Sequence, residues 1–521
     1  MVKIYLKQRN AYKWYSSDEN YFCGYFICDD VMYRGYDAIG FLNKNLNMDY
    51  PADIMSKLNG VFSFIINREN CVAFGCDRLR GLPLFYSIDK DTFYIGDDVC
   101  SIYKDVSQKS ISKIEYEEYI ATELFVTGEK TIIDNIYQVQ ASEVCLYDKA
   151  KKHLDRIEYF KMTHDDFDYN PDRLKSKFWD AYNSVGRNLV KALNGRTAVV
   201  PLSGGADSRM VLKLLKKEKY EKVICYTYGK PGNPESDISR KVANEYGYPW
   251  IMVPYSKKMW KQLRKEKWVS DYMKYSFAFT STPHIQDLPA VYHLVKDNLI
   301  PKDSVFVPGH SGDLIAGSHI TEEFLSDKLE YDNFLTSIKT KFYNEKKCSN
   351  GLEDKIASFF DYGQGNNEDL ASQSEWFNIK ERQAKFIVNS VRVYDFFGYE
   401  WLIPLWDNAL FSYWRNVPIR LRFKRQLYFY AVDDRLPSTN DITVVKNVGS
   451  NIRKIPVVKS IARRFKRILN WNSSPLLMEH FFTGKEYFRA LILERSGFQM
   501  ATLLGNRIIK GLRDNKLYEK K

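Results

Sequence analysis

The 521-residue sequence contains no uninterrupted apolar run of about 18 residues, the length that a membrane-spanning helix needs. Its first segment, MVKIYLKQRNAYKWYSS, is polar and aromatic and lacks the apolar core of a secretory signal peptide. Hydrophobic residues still make up 45% of the chain, and a chain of this length is expected to fold into two or three domains. We therefore expect a folded, cytoplasmic, multidomain protein.

The sequence also lacks the usual pattern of a cysteine-based metal site. None of its eight cysteines forms a C-x-x-C pair. Cys23 with Cys28 and Cys71 with Cys76 share a five-residue step, but no histidine stands near either pair. Buried, reduced thiols are therefore favoured over a metal site.

Most of the chain has almost no net charge, because residues 1–450 carry 61 basic and 60 acidic side chains. Residues 451–521 carry 16 Lys and Arg against five Asp and Glu, which is +11 of the total net charge of +12. Within them, PVVKSIARRFKRIL (456–469) predicts a basic amphipathic helix. Either it contacts an anionic membrane surface or an acidic glycan, or it packs on its own domain. No nucleic-acid-binding module is recognisable, so no nucleic-acid partner is expected.

Two patterns of secondary structure divide the chain. Residues 58–103 alternate short strand-like runs with polar turns, which predicts an α+β domain of antiparallel strands over 1–165. The polar segment THDDFDYNPDR (163–173) is interpreted as a linker. Strands and helices then alternate, which predicts an α/β domain with a parallel sheet and a helical C-terminal part over 174–450. Residues 451–521 are expected to form a basic helical extension.

The stretch VVPLSGGADSRMVLKLL (199–215) concentrates small and polar residues where a predicted strand becomes a helix. In an open parallel sheet such a turn lies at the carboxyl edge, where ligands bind. Gly204 and Gly205 let backbone N–H groups approach an anion, and the N-terminus of the helix favours negative charge. Ser203 and Ser208 add hydroxyl donors. The turn therefore predicts a phosphate site.

This turn is not a Walker A loop, because the spacing and the lysine of that loop are absent. Asp207 would repel a bare phosphate, so its presence predicts a Mg²⁺ ion between the carboxylate and the phosphates. An ordinary βα turn with an aspartate near the start of the helix is the alternative.

The S-G-G-x-D-S pattern resembles the pyrophosphate-binding loop of the ATP pyrophosphatases, and later segments are similar to the asparagine synthetase branch of that group. These segments are YTYGKPGNPESDISRKVANEYGYPW (226–250), TSTPHIQDLPAVYHLVK (280–296), VFVPGHSGDLIAGSH (305–319), YEWLIPLWDNAL (399–410) and RLPSTNDITVVKN (435–447). The resemblance implies ATP and Mg²⁺ as cofactors and covers about half of the chain.

The resemblance also implies roles for individual residues. Asp207 and Asp313 would hold Mg²⁺, and Lys446 would stabilise negative charge on the phosphates or on the tetrahedral intermediate. Glu400 is a candidate catalytic residue, although a structural acid is the alternative; Lys446 has the alternative of a solvated loop lysine. The expected nucleotide-binding residues are Ser203, Gly204, Gly205, Asp207, Ser208, Tyr228, Gly229 and Gly309.

The N-terminal region resembles the glutaminase domain of the same family, which implies an Ntn-type antiparallel β-sandwich. The segments that carry this likeness are NGVFSFII and CDRLRGLPLFYS (76–87). An active member has a cysteine nucleophile at position 2, activated by its own α-amino group. This sequence has Val2 there, Cys23 lies inside the chain, and the Asn-Gly-Glu segment of the glutamine pocket is absent. We therefore expect a scaffold domain without amidase activity.

Three residues depart from the family pattern near the expected acceptor site. His310 stands where asparagine-forming members carry Glu and some lactam-forming members carry Tyr. Its imidazole, with an ordinary pKa near 6.5, is a candidate base for the attacking amine, or a contact for a substrate anion, or a structural histidine. Leu314 and Trp401 replace a Glu and an Arg of the family motifs. These changes predict that the acceptor is not plain aspartate.

The sequence thus predicts an ATP-dependent, adenylate-forming ligase that couples a carboxylate to free or donated ammonia or to an amine. A uronic acid of a bacterial surface polysaccharide is the favoured acceptor. Intramolecular ring closure, as in β-lactam or lasso-peptide formation, asparagine synthesis and a catalytically silent scaffold protein are the alternatives.

Overall fold

A computed structural model describes residues 1–7, 11–326, 328–361, 366–432 and 476–481. Lys446 and the predicted helix at 456–469 lie outside these ranges. The strands of the N-terminal region are β1 (Val2–Tyr5), β2 (Trp14–Ser17), β3 (Asn20–Cys28), β4 (Val31–Arg34), β5 (Asn59–Asn67), β6 (Cys71–Cys76), β7 (Phe85–Asp89), β8 (Thr92–Gly96), β9 (Tyr137–Gln138), β10 (Glu143–Asp148) and β11 (His153–Glu158). Its helices are α1 (Gly35–Asn45), α2 (Pro51–Met55), α3 (Val99–Asp105) and α4 (Lys113–Thr122).

These strands form two sheets. The larger has the order β11-β10-β6-β5-β3-β2, with β4 paired to β3, and all its neighbours are antiparallel. The smaller has the order β1-β8-β7-β9, in which β1 runs parallel to β8. The predicted antiparallel strand pattern of this region is confirmed.

Strand β5 shows why the two sheets pack together. Phe62, Phe64 and Ile66 share one core with α1, whereas Ile65 joins a second core with Phe93 of the smaller sheet. Successive side chains of a strand point to opposite faces, so a strand with apolar side chains on both faces is stable only when both faces are covered.

The second region is built on a five-stranded parallel sheet with the order β14-β13-β12-β15-β16. Its strands are β12 (Ala198–Pro201), β13 (Val223–Gly229), β14 (Trp250–Pro254), β15 (Val305–Phe306) and β16 (Glu400–Trp401). The helices of its first half are α5 (Pro171–Leu193), α6 (Ala206–Lys217), α7 (Pro234–Tyr246), α8 (Lys257–Leu263), α9 (Lys267–Phe277), α10 (Leu288–Lys296) and α11 (Gly312–Ile315). The predicted parallel sheet is confirmed.

The chain beyond α11 is largely helical. Its α-helices are α12 (Tyr331–Phe342), α13 (Asn350–Ala357), α14 (Asn367–Phe377), α15 (Arg392–Phe396), α16 (Asn408–Trp414), α17 (Ile419–Arg422) and α18 (Gln426–Val432). Between α14 and α15 the chain forms a π-helical segment, Asn378–Ile387, and then a 3₁₀ turn, Val388–Val391. Wide π-helical turns are frequent at functional sites.

The segment interpreted as a linker is packed rather than loose. Asn170 caps α5, which begins at Pro171, so the last residues of the segment are helical. His164 is buried and contacts Glu375, and Asp165 binds Arg415. A segment rich in Asp and Asn gives no indication of which residues from distant parts of the chain its side chains contact. This packing therefore could not be predicted from the sequence.

Polar contacts join the two regions. Asn59 donates a hydrogen bond to Asp407 over 2.7 Å, and Arg392 donates to the carbonyl of Gly81.

The segment 476–481, from the predicted basic extension, packs on α8, where Trp260 donates to the carbonyl of Leu476. The described ranges contain no helix that is both long and apolar enough to cross a membrane.

Candidate active site

The predicted phosphate-binding turn, residues 202–205, lies between β12 and α6. Gly205 is the N-cap of α6, in extended conformation, and the helix begins at Ala206. The Ser203 hydroxyl accepts from the N–H of Gly205 over 3.1 Å and lies 3.3 Å from the Ser208 hydroxyl. Arg209 of α6 donates a hydrogen bond to the carbonyl of Gly204 over 3.1 Å. The first N–H groups of a 12-residue helix are thereby held at the end of β12.

A second glycine loop follows β15 and lies against the first. A Cβ atom on Gly309 would come within 2.7 Å of both the carbonyl carbon of Asp207 and the nitrogen of Ser208. Ser311 adopts a left-handed conformation with φ of 61°, and its hydroxyl donates to Gln383 in the π-helical segment. The backbone of Asp313 then donates to Asp207 over 2.9 Å. Glycine is thus required where the two loops touch.

Asp207 is the centre of the charged groups in this site. Its Oδ1 accepts from Arg425 over 2.8 Å, and both side chains are more than four-fifths buried. Burial raises the pKa of Asp207 to about 6; Arg425 opposes this rise, and the negative charge of Asp313 adds to it. Arg425 and the preceding Lys424 both have positive φ values, 62° and 52°, in the chain that leads into α18.

Both loops open into one cavity of about 570 Å³. The lining includes predicted site residues from both loops and from the end of β13, namely Ser203, Gly205, Asp207, Ser208, Tyr228, Gly309, His310 and Asp313. Gly204 and Gly229 are neighbours of lining residues but do not line the cavity themselves. The carboxyl ends of β12, β13 and β15 thus supply one continuous wall, as expected for a parallel sheet.

His310 faces this cavity and is held by Ser390, whose Oγ lies 2.8 Å from Nε2. Since the Ser390 hydroxyl also donates to the carbonyl of Ile387, the network assigns the imidazole proton to Nε2 and leaves the Nδ1 lone pair free. Burial, together with a smaller effect of the nearby His284, lowers the pKa of His310 to about 4. His310 is therefore neutral at pH 7, and it is a weaker base than its ordinary pKa implies.

Glu400, predicted as a catalytic residue with a structural acid as the alternative, does not line this cavity. It is the first residue of β16, at the amino end of a sheet whose carboxyl ends form the cavity. Its Oε2 accepts from Arg34 over 3.0 Å and from Arg196 over 2.9 Å. These contacts favour the structural alternative, in which the Glu400 carboxylate joins the two regions.

Sequence reasoning missed several polar residues of the cavity wall. They include His284, Gln286, Asp287, Tyr394 and Arg425. Three of them lie in the segment 280–296, whose pattern was identified without assigning a role to its polar side chains. Tyr394 and Arg425 come from the helical C-terminal part. There, hydrophobic periodicity predicts a helix but does not predict which elements of the fold the helix packs against.

Two protein families match the chain. The glutamine amidotransferase domain matches residues 45–159, and asparagine synthase matches residues 189–437. No curated protein matches the chain.

Solved structures give weaker likenesses. The ammonia-dependent NAD synthetase of Campylobacter jejuni, solved with nitrate, is 13% identical; the match covers 37% of this chain and 93% of that one, with a TM-score of 0.20. The glutamine phosphoribosylpyrophosphate amidotransferase of B. subtilis, solved with ADP and GMP, is 8% identical, with coverages of 68% and 77% and a TM-score of 0.19. TM-scores at this level support no inference about activity.

The asparagine synthase match contains both glycine loops and every lining residue of the cavity except Leu476, and it implies the use of ATP. The two family matches, in this order along the chain, give it the architecture of the asparagine synthetase family, and it is an ATP-dependent ligase that forms C–N bonds.

Proposed function

We propose that this ligase activates a carboxylate as an acyl-adenylate, releases pyrophosphate, and passes the acyl group to ammonia or an amine. The observation that carries the proposal is the meeting of the two glycine loops at the N-terminus of α6, where free N–H groups face a cavity. Such a terminus binds phosphate groups. Because a carboxylate has no good leaving group, its attack on the α-phosphate gives the acyl carbon an AMP group that the nitrogen can displace.

The donor set of the cavity supports Mg²⁺ as the partner of the phosphates. The carboxylates of Asp207 and Asp313 are hard oxygen ligands, and both face the cavity. No cluster of three or more His, Cys, Asp or Glu suited to a metal occurs among the described residues. A pair of carboxylates fits Mg²⁺, which usually takes one or two carboxylates and completes its shell with phosphate oxygens and water. When bound, the ion would neutralise charge as the phosphates separate.

We propose that the N-terminal domain acts as a scaffold and does not hydrolyse glutamine. A glutaminase needs an accessible, activated thiolate. The Cys23 thiol is buried in β3 and donates to the carbonyl of Tyr12 over 3.3 Å. Burial raises the pKa of each of the other seven cysteines, which are Cys28, Cys71, Cys76, Cys100, Cys145, Cys225 and Cys348.

For the acceptor we propose a hydroxyl-rich acid, with a uronic acid of a bacterial surface polysaccharide as the first candidate. The part of the cavity beside His310 offers hydrogen-bonding groups without net charge: the imidazoles of His284 and His310, the amide of Gln286 and the hydroxyl of Ser390. Burial lowers the pKa of His284 to about 4, so both imidazoles are neutral at pH 7. Neutral donors and acceptors of this kind suit sugar hydroxyls.

The proposal is tested with ATP, ammonium chloride and a panel of carboxylates that contains glucuronate, galacturonate and L-aspartate. We expect pyrophosphate and AMP in equal amounts with a uronic acid, and loss of both with Asp207→Asn but not with Asp237→Asn, whose carboxylate lies on the exposed face of α7. A product that forms without added ammonia would indicate ring closure instead. No carboxylate-dependent pyrophosphate release across a broad panel would overturn the proposal.

A separate assay tests the scaffold role of the N-terminal domain. With glutamine as the only nitrogen source, we expect neither glutamate nor amide, whereas ammonium chloride should restore amide formation. Glutamate release above the background of a heat-treated sample would overturn this part of the proposal.

A further inference from the structure

One buried carboxylate on the cavity wall has no ion pair with any described residue. Asp287 is the N-cap of α10, is 8% exposed, and lines the cavity. Within the described ranges, no Lys, Arg or His forms an ion pair with it, and its side chain does not cap α10. A buried carboxylate without a cation is costly, so its position calls for an explanation.

The other buried carboxylates of the described ranges differ from Asp287. Each has either an ion pair with a basic side chain or at least two N–H donors; they are Asp77, Asp97, Glu115, Glu118, Glu123, Glu143, Asp168, Glu375, Glu381, Asp395 and Asp407. Asp77, for example, accepts from the backbone of Phe62, Leu79 and Gly81. The fold therefore satisfies buried carboxylates elsewhere and leaves this one facing the cavity.

Tyrosines surround Asp287 on the cavity wall. Tyr226 and Tyr228 extend from the same face of β13, and Tyr394 comes from α15. The charge of Asp287 raises the pKa of each of these hydroxyls, although their burial is the larger cause. The Tyr226 hydroxyl is fully buried and lies beside the hydroxyl of Tyr394. One carboxylate and three electron-rich rings form the kind of surface that binds an ammonium group.

We propose that Asp287, with Tyr226 and Tyr394, binds the nitrogen nucleophile of the ligase as an ammonium ion or a protonated primary amine and removes its proton. This inference rests on the proposed function and adds to it the charge state in which the nucleophile enters the site. The carboxylate is a catalytic residue in this account, because it contacts the substrate nitrogen.

The proton balance of the step is simple. The ammonium nitrogen gives one proton to the Asp287 carboxylate and keeps a lone pair. The lone pair forms the C–N bond at the acyl carbon, and the C–O bond to AMP breaks, so AMP leaves with that electron pair. Once the C–N bond exists, the nitrogen is strongly acidic and loses its second proton to water. Burial raises the pKa of Asp287 to about 6, partly offset by the Tyr394 hydroxyl, which lets the carboxylate hold a proton more readily than an exposed aspartate.

A binding experiment tests this inference without knowledge of the acceptor. Thermal unfolding is followed in methylammonium chloride and in sodium chloride at equal ionic strength, for the wild-type chain and for Asp287→Asn. We expect methylammonium to raise the Tm of the wild-type chain more than sodium does, and to have no such preference in Asp287→Asn. Equal shifts by the two salts in the wild-type chain would overturn the inference, even if pyrophosphate release proves the proposed function.

A kinetic experiment separates the nitrogen from the nucleotide. With the carboxylate that supports pyrophosphate release, Asp287→Asn should leave pyrophosphate–ATP exchange nearly unchanged and raise the KM for ammonium by about 10- to 100-fold, the loss of one charge-assisted contact. Hydroxylamine, largely uncharged at neutral pH, should be used almost equally well by both enzymes. A raised KM for ATP with an unchanged KM for ammonium would mean that Asp287 contacts the adenine amino group, and would overturn the inference. Failure of exchange in the wild-type enzyme would instead count against the proposed function.

Discussion

The guanidinium of Arg425 donates to Asp207 over 2.8 Å, so a residue of the C-terminal helical part neutralises the carboxylate of the first glycine loop. The two residues are 218 positions apart in the chain, and neither is more than 17% exposed. The pair places a positive and a negative group at the point where the phosphates are expected to separate.

Removal of Arg425 tests the importance of this pair. Arg425→Ala should lower the free energy of unfolding by roughly 2–4 kcal/mol, because it leaves Asp207 buried without its cation. Pyrophosphate release should fall as well, since the cavity loses a positive charge. Arg420→Ala, an exposed arginine on α17, is the matched control and should change neither quantity. Chemical denaturation measures the free energy of unfolding, and the pyrophosphate assay measures the activity. An Arg425→Ala enzyme of unchanged stability would contradict the claim that Arg425 stabilises the buried Asp207 carboxylate.

The contact between the two glycine loops gives a second prediction. Gly309→Ala would push a methyl group to 2.7 Å from the backbone of the first loop, so the loops must separate. We expect a loss of about 1–3 kcal/mol of stability, the usual cost of overpacking, and a large loss of pyrophosphate release. Gly40→Ala is the control, because a Cβ atom at this helical position meets nothing within 4 Å. Gly40→Ala should leave the stability unchanged or raise it slightly. A fully active Gly309→Ala enzyme would show that the loops are not tightly packed.

Glu400 should matter for stability and not for catalysis. Glu400→Gln weakens the contacts with Arg34 and Arg196, so we expect a loss of roughly 1–3 kcal/mol in the free energy of unfolding. The kcat of the folded enzyme should stay within about twofold of the wild-type value, below the effect of removing one general base. Glu322→Gln, whose partner Lys424 is exposed, is the control and should change the Tm little. A fall in kcat without a fall in stability would restore the catalytic prediction.

The burial of Asp287 predicts how stability depends on pH. Its pKa is about 6 in the folded chain and about 3.9 in an unfolded one, so folding favours the protonated form. The resulting penalty is absent below about pH 4, grows as the pH rises through the folded pKa, and is complete above about pH 7. Tyrosines face this carboxyl from β13, α9, α15 and the end of β14, and the pKa of each is raised, so none titrates in this range.

Asp287→Asn removes this penalty. Relative to the wild-type chain, the variant should gain stability between pH 4 and pH 7, by up to roughly 2–3 kcal/mol at neutral pH. Urea denaturation at several pH values measures the difference, and Asp237→Asn, an exposed aspartate of α7, should show no such trend. A stability difference that is independent of pH would show that Asp287 titrates as an ordinary aspartate.

The sequence predicted the parts of the site that lie close together along the chain. The turn after β12 could be predicted because one short segment carries the end of a strand, the glycines and the start of a helix. Arg425 could not be predicted, since its contact with Asp207 depends on how the last helices fold back over the sheet. Asp287 was part of an identified segment, but its lack of a cation is a property of the packed structure.

Glu400 shows a different limit. A motif gives the order of residues in a strand, but whether a residue faces the carboxyl edge depends on where the strand begins. β16 begins at Glu400, which places this carboxylate at the amino edge beside Arg34 and Arg196.

The most direct test of the account follows oxygen from the carboxylate. The acceptor that supports pyrophosphate release is prepared with ¹⁸O in its carboxylate, and the phosphorus-containing products are examined by mass spectrometry after one turnover. An acyl-adenylate transfers one labelled oxygen to AMP, so we predict singly labelled AMP and unlabelled pyrophosphate. Labelled inorganic phosphate together with ADP would indicate an acyl-phosphate instead, and would contradict adenylate formation at the loop of Ser203–Ser208.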